Sequence, residues 1–150
     1  MGFLGQGCTV SRSSAVVNVQ GSWGVGGLIG SSSIPTGQFS VIEDSFSTGD
    51  VSASTSYGAG FFGFADPRTR IFRCYSTGAV TGAGVDGFAG GVGATVEDSF
   101  WDTVSSGVPT STFGIGRSTD DMLALDTFTT AGWDFVNLWN LSPGAYPNFR

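Results

Sequence analysis

Chemistry in this chain has to come from carboxylates, arginines, hydroxyls or two cysteines, because the sequence contains neither lysine nor histidine. Their absence excludes a P-loop lysine, Schiff-base chemistry, His-based triads and His-containing zinc or haem sites. The densest group of remaining candidates is Asp66, Arg68, Arg70 and Arg73. Carbohydrate-active enzymes build sites from such residues, but they need a carboxylate pair divided into an acid and a base, and no pair here declares those roles. The acidic doublets Glu43-Asp44, Glu97-Asp98 and Asp120-Asp121 lack the D-x-D-x-D-G spacing of a dedicated calcium loop. Gly82-Ala83-Gly84-Val85-Asp86-Gly87 matches the dinucleotide-binding string, yet no helix is expected after it to receive a phosphate. The expectation is a non-enzyme without catalytic, cofactor or metal-binding residues, with Asp66, Arg68 and Arg70 as a candidate partner-contact patch.

The elements that position these residues follow from an unusual composition. Of 150 residues, 25 are Gly and 12% are charged, while 40% are hydrophobic and 13 are Phe. That is enough apolar material for the core of one domain, and too little charge for a disordered chain. A net charge of −6 argues against a nucleic-acid partner. No apolar run approaches the ~20 residues needed to span a bilayer, so membrane insertion is not expected. The N-terminus lacks a basic signal-peptide region, and Gln6 stands where a myristoylation motif requires Ser or Thr. This suits a phage or cytosolic protein, or a fragment of a longer secreted chain.

A repeat organises the sequence. Gly2-Phe3-Leu4-Gly5, Gly27-Leu28-Ile29-Gly30, Gly60-Phe61-Phe62-Gly63 and Gly87-Phe88-Ala89-Gly90 form one phrase. A second follows each: Val10-Ser11-Arg12-Ser13, Ile42-Glu43-Asp44-Ser45-Phe46, Ile71-Phe72-Arg73-Cys74-Tyr75 and Val96-Glu97-Asp98-Ser99-Phe100. Val19, Val51 and Val80 recur at fixed spacing after the first three. Short strands of constant internal spacing between glycine turns predict a stacked solenoid, with variable loops such as 31–40 on one side. The copies lie near residues 2–21, 27–54, 60–82 and 87–103; residues 1–103 form the repeats and 104–150 a C-terminal capping segment.

These residues resemble the GLUG motif family of glycine-rich repeats found in large bacterial surface and secreted proteins. Gly27-Leu28-Ile29-Gly30 followed by Asp44-Ser45-Phe46-Ser47-Thr48-Gly49-Asp50-Val51 carries the likeness most closely. Ser99-Phe100-Trp101-Asp102-Thr103, Gly132-Trp133-Asp134-Phe135, Trp139 and Tyr146-Pro147 resemble the segment that closes such arrays. The resemblance implies a right-handed parallel β-solenoid with a display or adhesion role and no catalytic residues. The first copy departs from the pattern at Ser14 and Val17.

Equivalent positions in stacked turns lie ~4.8 Å apart, so each column can be read as a ladder. Arg12, Asp44, Arg73 and Asp98 alternate in sign, which would place each charge between opposite ones and fix the order of the turns. Ser13, Ser45, Cys74 and Ser99 form a column of small space-fillers. Cys8 and Cys74 are two turns, ~9.6 Å, apart, beyond disulfide reach, so both thiols are expected free. Phe46, Tyr75 and Phe100 form an aromatic ladder after Ser14. Burying both the opening Val or Ile and the serine column requires a bend between them.

The ends differ. Ser118-Thr119-Asp120-Asp121 before Met122, Leu123, Leu125 and Phe128 predicts one short helix, stopped at Ala131-Gly132. Trp133, Phe135, Trp139 and Tyr146 then supply a cap over the last turn. The N-terminal turn has no such cover, and an open turn presents unpaired backbone groups. It should pack against the same or a neighbouring chain, or belong to a longer one. The reading is an all-β, right-handed parallel solenoid of about four turns with a capped C-terminus, acting as a structural or adhesive module of a bacterial cell-surface or secreted protein. Its partner would be a protein at the open turn, including a homo-oligomer, or a host glycan or surface receptor. A virion or filament protein assembling through the open turn is the alternative, and a carbohydrate-active β-helix enzyme comes third.

Overall fold

The computed structural model describes residues 2–5 and 7–150; Met1 and Gln6, the latter invoked above against myristoylation, lie outside the described residues. The chain winds as a parallel β-solenoid. Turn one comprises β1 (Phe3–Gly5), β2 (Thr9–Ser11), β3 (Ser14–Ala15) and β4 (Val19–Gly26). Turn two repeats this with β5 (Ile29–Ser33), β6 (Ser40–Glu43), β7 (Phe46–Ser47) and β8 (Val51–Ala59). Turn three runs through β9 (Phe62–Ala65), β10 (Thr69–Phe72) and β11 (Tyr75–Ser76), and its fourth side is shared by β12 (Val80–Gly82) and β13 (Val85–Asp86). A fourth turn has only β14 (Ala89–Gly91), β15 (Thr95–Glu97) and β16 (Phe100–Asp102). The stack therefore has three complete turns and a partial fourth, slightly fewer than the four expected. Its parallel sheets follow the orders β1-β5-β9-β14, β2-β6-β10-β15 and β3-β7-β11-β16, with β4, β12 and β13 all paired to β8.

The columns of the second phrase hold their expected register. Val10, Ile42, Ile71 and Val96 pair directly. Ser14, Phe46, Tyr75 and Phe100 do the same, as do Val19, Val51 and Val80. The first phrase differs. Phe3 pairs with Ser31, while Ile29 pairs with Phe62 and Ser31 with Phe64. Gly2-Phe3-Leu4-Gly5 has therefore slid three residues past the position that similarity suggests. The slide buries Leu4 to 3% exposure on the core, where turn two offers only Ser32.

The bend between the Val/Ile and serine columns is a single residue in the left-handed region: Arg12 (φ 47°), Asp44 (φ 46°), Arg73 (φ 49°) and Asp98 (φ 49°). Such backbones cost of order 1 kcal/mol or more for a non-glycine residue. Hydrogen bonds offset that cost, and they give the next column a role beyond filling space. Oγ of Ser13, Ser45 and Ser99 donates to the carbonyl two residues back, at 2.9, 2.8 and 2.8 Å. The Cys74 thiol does so at 3.2 Å. Ser45 and Ser99 Oγ also accept from the backbone N–H of Ser13 and Cys74 in the preceding turn, both at 3.1 Å.

The residue after each aromatic rung points inward: Ala15, Ser47, Ser76 and finally Trp101. Ser47 and Ser76 Oγ donate to the carbonyls of Gly60 and Gly87 at 2.7 and 3.2 Å. The approach is so close that a Cβ on Gly60 would meet Ser76 Oγ at 2.7 Å, and one on Gly87 would meet Trp101 Nε1 at 2.1 Å. Leu28, Ile29, Phe61, Phe62 and Phe88 complete the interior. Phe61 and Phe88 stack with centroids 4.9 Å apart.

Past β16 the path leaves the stack through α1 (Thr103–Ser106), β17 (Ile115–Arg117), α2 (Thr119–Met122), α3 (Leu125–Thr129), β18 (Trp139–Asn140) and β19 (Asn148–Phe149). Three short helices thus replace the one expected. The predicted cap start is present, with Ser118 and Asp121 forming a reciprocal capping box on α2. The open end of turn four is covered by residues 107–114: Trp101 Nε1 donates to the Val108 carbonyl at 3.0 Å, and Phe113 bridges to Ala89.

The tryptophan-rich segment lies elsewhere than expected. It runs back along the flank of the stack and packs on the outward aromatic ladder. Phe100 meets Phe128 and Trp133, Tyr75 meets Trp133, Trp139 and Tyr146, and Phe46 meets Trp139 and Phe149. Phe46 and Tyr75 stack 5.0 Å apart. Rings that project outward from three turns need a lateral cover, and Phe135, half-buried, packs against the same cluster.

Cys8 and Cys74 are both free thiols. Cys74 is wholly buried, and burial pushes its thiol well above the ordinary range, so it is a poor nucleophile. Cys8 is half-buried. A disulfide-exchange reagent should therefore titrate one thiol in the native chain and the second only after unfolding.

Candidate functional site

The charge column forms one contact where alternation suggested three. The Arg73 guanidinium donates to both oxygens of Asp44, at 2.8 and 2.9 Å, and to Glu43 Oε2 at 3.2 Å. All of this reach is toward the preceding turn. Neither Arg12 nor Asp98 joins an ion pair among the described residues. The fork turns its Nε and Nη2 edge to the two adjacent carboxylates of the preceding turn, a two-point grip on Asp44 that sets the direction of the side chain.

The three residues singled out for partner contact occupy one corner of turn three but face different tasks. Asp66 is buried to 8% exposure, and its carboxylate accepts from the backbone N–H of Ile34 and of Arg68. Its own N–H donates to Ser32 Oγ at 3.0 Å, and Ser32 Oγ shares a 2.8 Å hydrogen bond with Thr69. Asp66 thus fastens the loop after β5 to the turn before β10. Arg68 Nη2 donates to Thr36 Oγ1 at 3.3 Å, and the Arg70 guanidinium lies 3.9 Å over the Phe39 ring. Both arginines lie against the 31–40 loop.

Asp102 is the buried carboxylate that sequence reading left aside. Asp102 Oδ1 caps α1 through Val104 N and Ser105 N at 2.8 and 3.0 Å, and Oδ2 accepts from Tyr146 Oη at 2.7 Å. Burial alone raises its pKa, but the hydrogen bonds from Ser105, Tyr146, Thr119 and Val104 outweigh it and hold the carboxyl below its ordinary value. A depressed folded-state pKa adds stability that is fully present above the unfolded value of about 3.9 and is lost as pH falls through the folded one. Asp102→Asn should therefore lower the urea midpoint at pH 7, with the gap to wild type closing as the pH falls below the ordinary carboxylate range.

The clearest surface feature was not among the sequence candidates. Trp23, 50% exposed, packs on Tyr57 and Phe64 with centroids 5.6 and 5.4 Å apart, and Tyr57 meets Phe64 at 4.9 Å. Tyr57 holds φ 57°, uncommon for an aromatic residue. These residues come from β4, β8 and β9, outside the repeating columns, so periodicity does not reveal them. An open groove of about 370 Å³ runs along the fourth side past Gln20, Ser52 and Thr81. Its strongest polar groups are engaged between turns: Asn18 Oδ1 accepts from Asp50 N at 2.9 Å, and Asp50 Oδ1 accepts from Ala79 N at 3.0 Å.

No group of three or more potential metal ligands comes together among the described residues. The G-x-G-x-x-G string spans the β12–β13 junction and leads into the fourth turn, not into a helix. No described helix is long and apolar enough to cross a membrane.

The chain is 33% identical over 124 residues, 83% of its length, to a protein of Evansella cellulosilytica provisionally named a Gly-rich membrane protein. The match covers 11% of that relative, so the chain spans about a tenth of its length. No protein-family profile matches the sequence, and no solved structure matches it.

Proposed function

We propose that this chain is a non-catalytic structural and adhesive β-solenoid module of a bacterial cell-surface or secreted protein, of the GLUG-repeat kind. The observation that carries the reading is where the polar side chains go. Arg73, Asp66, Asp102 and the bend serines are engaged in turn-to-turn or loop contacts, the expenditure expected of a scaffold. The exposed Trp23-Tyr57-Phe64 cluster supplies a surface for a host glycan or receptor. The likeness to a small part of a much longer Gly-rich membrane protein supports a surface setting. Fractionation and protease shaving of intact source cells test the placement: the chain should be found in the envelope or the medium and be cut from outside. Recovery in the cytosol overturns it. Turnover of any polysaccharide that is lost in Arg70→Ala would overturn the non-catalytic reading.

A second reading, assembly into a filament or virion, is favoured by the exposed strand edges and apolar side chains of turn one, with Phe3, Val16 and Val17 more than 60% exposed. Light scattering separates the two, since assembly predicts large ordered particles of the isolated chain.

A further inference from the structure

Turn one ends the stack with four strands, β1 to β4, each paired on one side only among the described residues. Arg12 and Arg73 hold the same bend position at the same positive φ. Arg73 reaches to the preceding turn and grips Glu43 and Asp44. Arg12 is exposed, and residues 2–26 contain no Asp or Glu. The serine ladder is also incomplete there. Ser45 and Ser99 each accept a backbone N–H from the turn before them, whereas Ser13 Oγ, among the described residues, donates to the Ser11 carbonyl and accepts none.

We infer that this face is a docking surface for a further turn of the same repeat type, and that Arg12 selects a turn with adjacent Glu and Asp at its bend. The inference rests on reading the chain as a structural solenoid module. Charge complementarity and continuity of the sheets both point to that occupant. A second copy stacked head to tail is obstructed, because residues 107–117 cover two sides of the opposite end. Two copies stacked head to head would bring together surfaces that have no carboxylate for Arg12.

The register specifies the test. Because Phe3 pairs with Ser31, and Ser31 with Phe64, Gly2 aligns with Gly30 and Gly63. Repeating residues 27–62 directly ahead of Gly2 in the full chain places copies of Glu43 and Asp44 before Arg12 as the originals lie before Arg73. Amide exchange in residues 9–15 should slow about tenfold or more in the extended chain. Arg12→Glu should reverse about two- to fivefold of that slowing in the extended chain alone. Arginine at the two grafted acidic positions should restore it in the Arg12→Glu background. Slowing that Arg12→Glu leaves unchanged would overturn the selection by Arg12. No slowing at all would overturn the docking surface itself, while leaving the envelope placement to its own test.

Discussion

Trp101→Ala should lower the melting temperature by roughly 6–20 °C, the largest effect expected of a single truncation in the stack. Trp101 is 5% exposed and ends an inward column whose other members are Ala15, Ser47 and Ser76. It fills the bore against Gly87 and anchors the covering segment through the Val108 carbonyl. Truncating a buried tryptophan costs about 3–5 kcal/mol, and each kcal/mol shifts a chain of this size by about 2–4 °C. Trp101→Phe keeps most of the ring and loses the N–H donor, so its loss should be near 1–2 kcal/mol. Thermal denaturation followed by circular dichroism measures both; equal losses would mean that the indole nitrogen, not the bulk, holds the plug.

The second large effect is Trp139→Ala, also about 3–5 kcal/mol, because Trp139 is fully buried and touches Phe46, Tyr75, Trp133 and Phe149. Phenylalanine substitutions should separate the two clamp tryptophans. Trp133 Nε1 donates to the Asp98 carbonyl at 2.9 Å, whereas Trp139 Nε1 is buried with no partner among the described residues. Trp133→Phe abandons a hydrogen bond, while Trp139→Phe removes an unsatisfied donor. Urea midpoints should therefore fall further for Trp133→Phe than for Trp139→Phe, and the reverse order would refute this assignment.

The inward Val/Ile column was legible because it keeps one residue type through the turns: Val10, Ile42, Ile71 and Val96 pair as their spacing implies. The need for a bend beside them was also readable from period-two alternation. Its nature was not, since nothing in Arg12 or Arg73 advertises a left-handed backbone, and local hydrogen bonds decide it. The slide of the first glycine phrase escaped similarity because burial of Leu4, not likeness of residues, sets that register. The aromatic residues of the C-terminal segment were recognised as a cover, but not which face they cover. That depends on Phe46, Tyr75 and Phe100 pointing outward, a consequence of the same bend. The Trp23-Tyr57-Phe64 cluster lies across three strands with no common period, and only the fold brings it together.

In an ideal solenoid each turn feels only its immediate neighbours, and stability is a nearest-neighbour sum. The lateral aromatic clamp breaks that rule. By touching Phe46, Tyr75 and Phe100 at once, it ties turns two, three and four into a single cooperative block and leaves turn one outside. The two ends of the stack are therefore unequal in how they melt: the last turn cannot peel away without releasing the clamp from all three, while the first can fray alone. Unzipping has a direction, from β1 toward β16, built into a repeat whose units look alike.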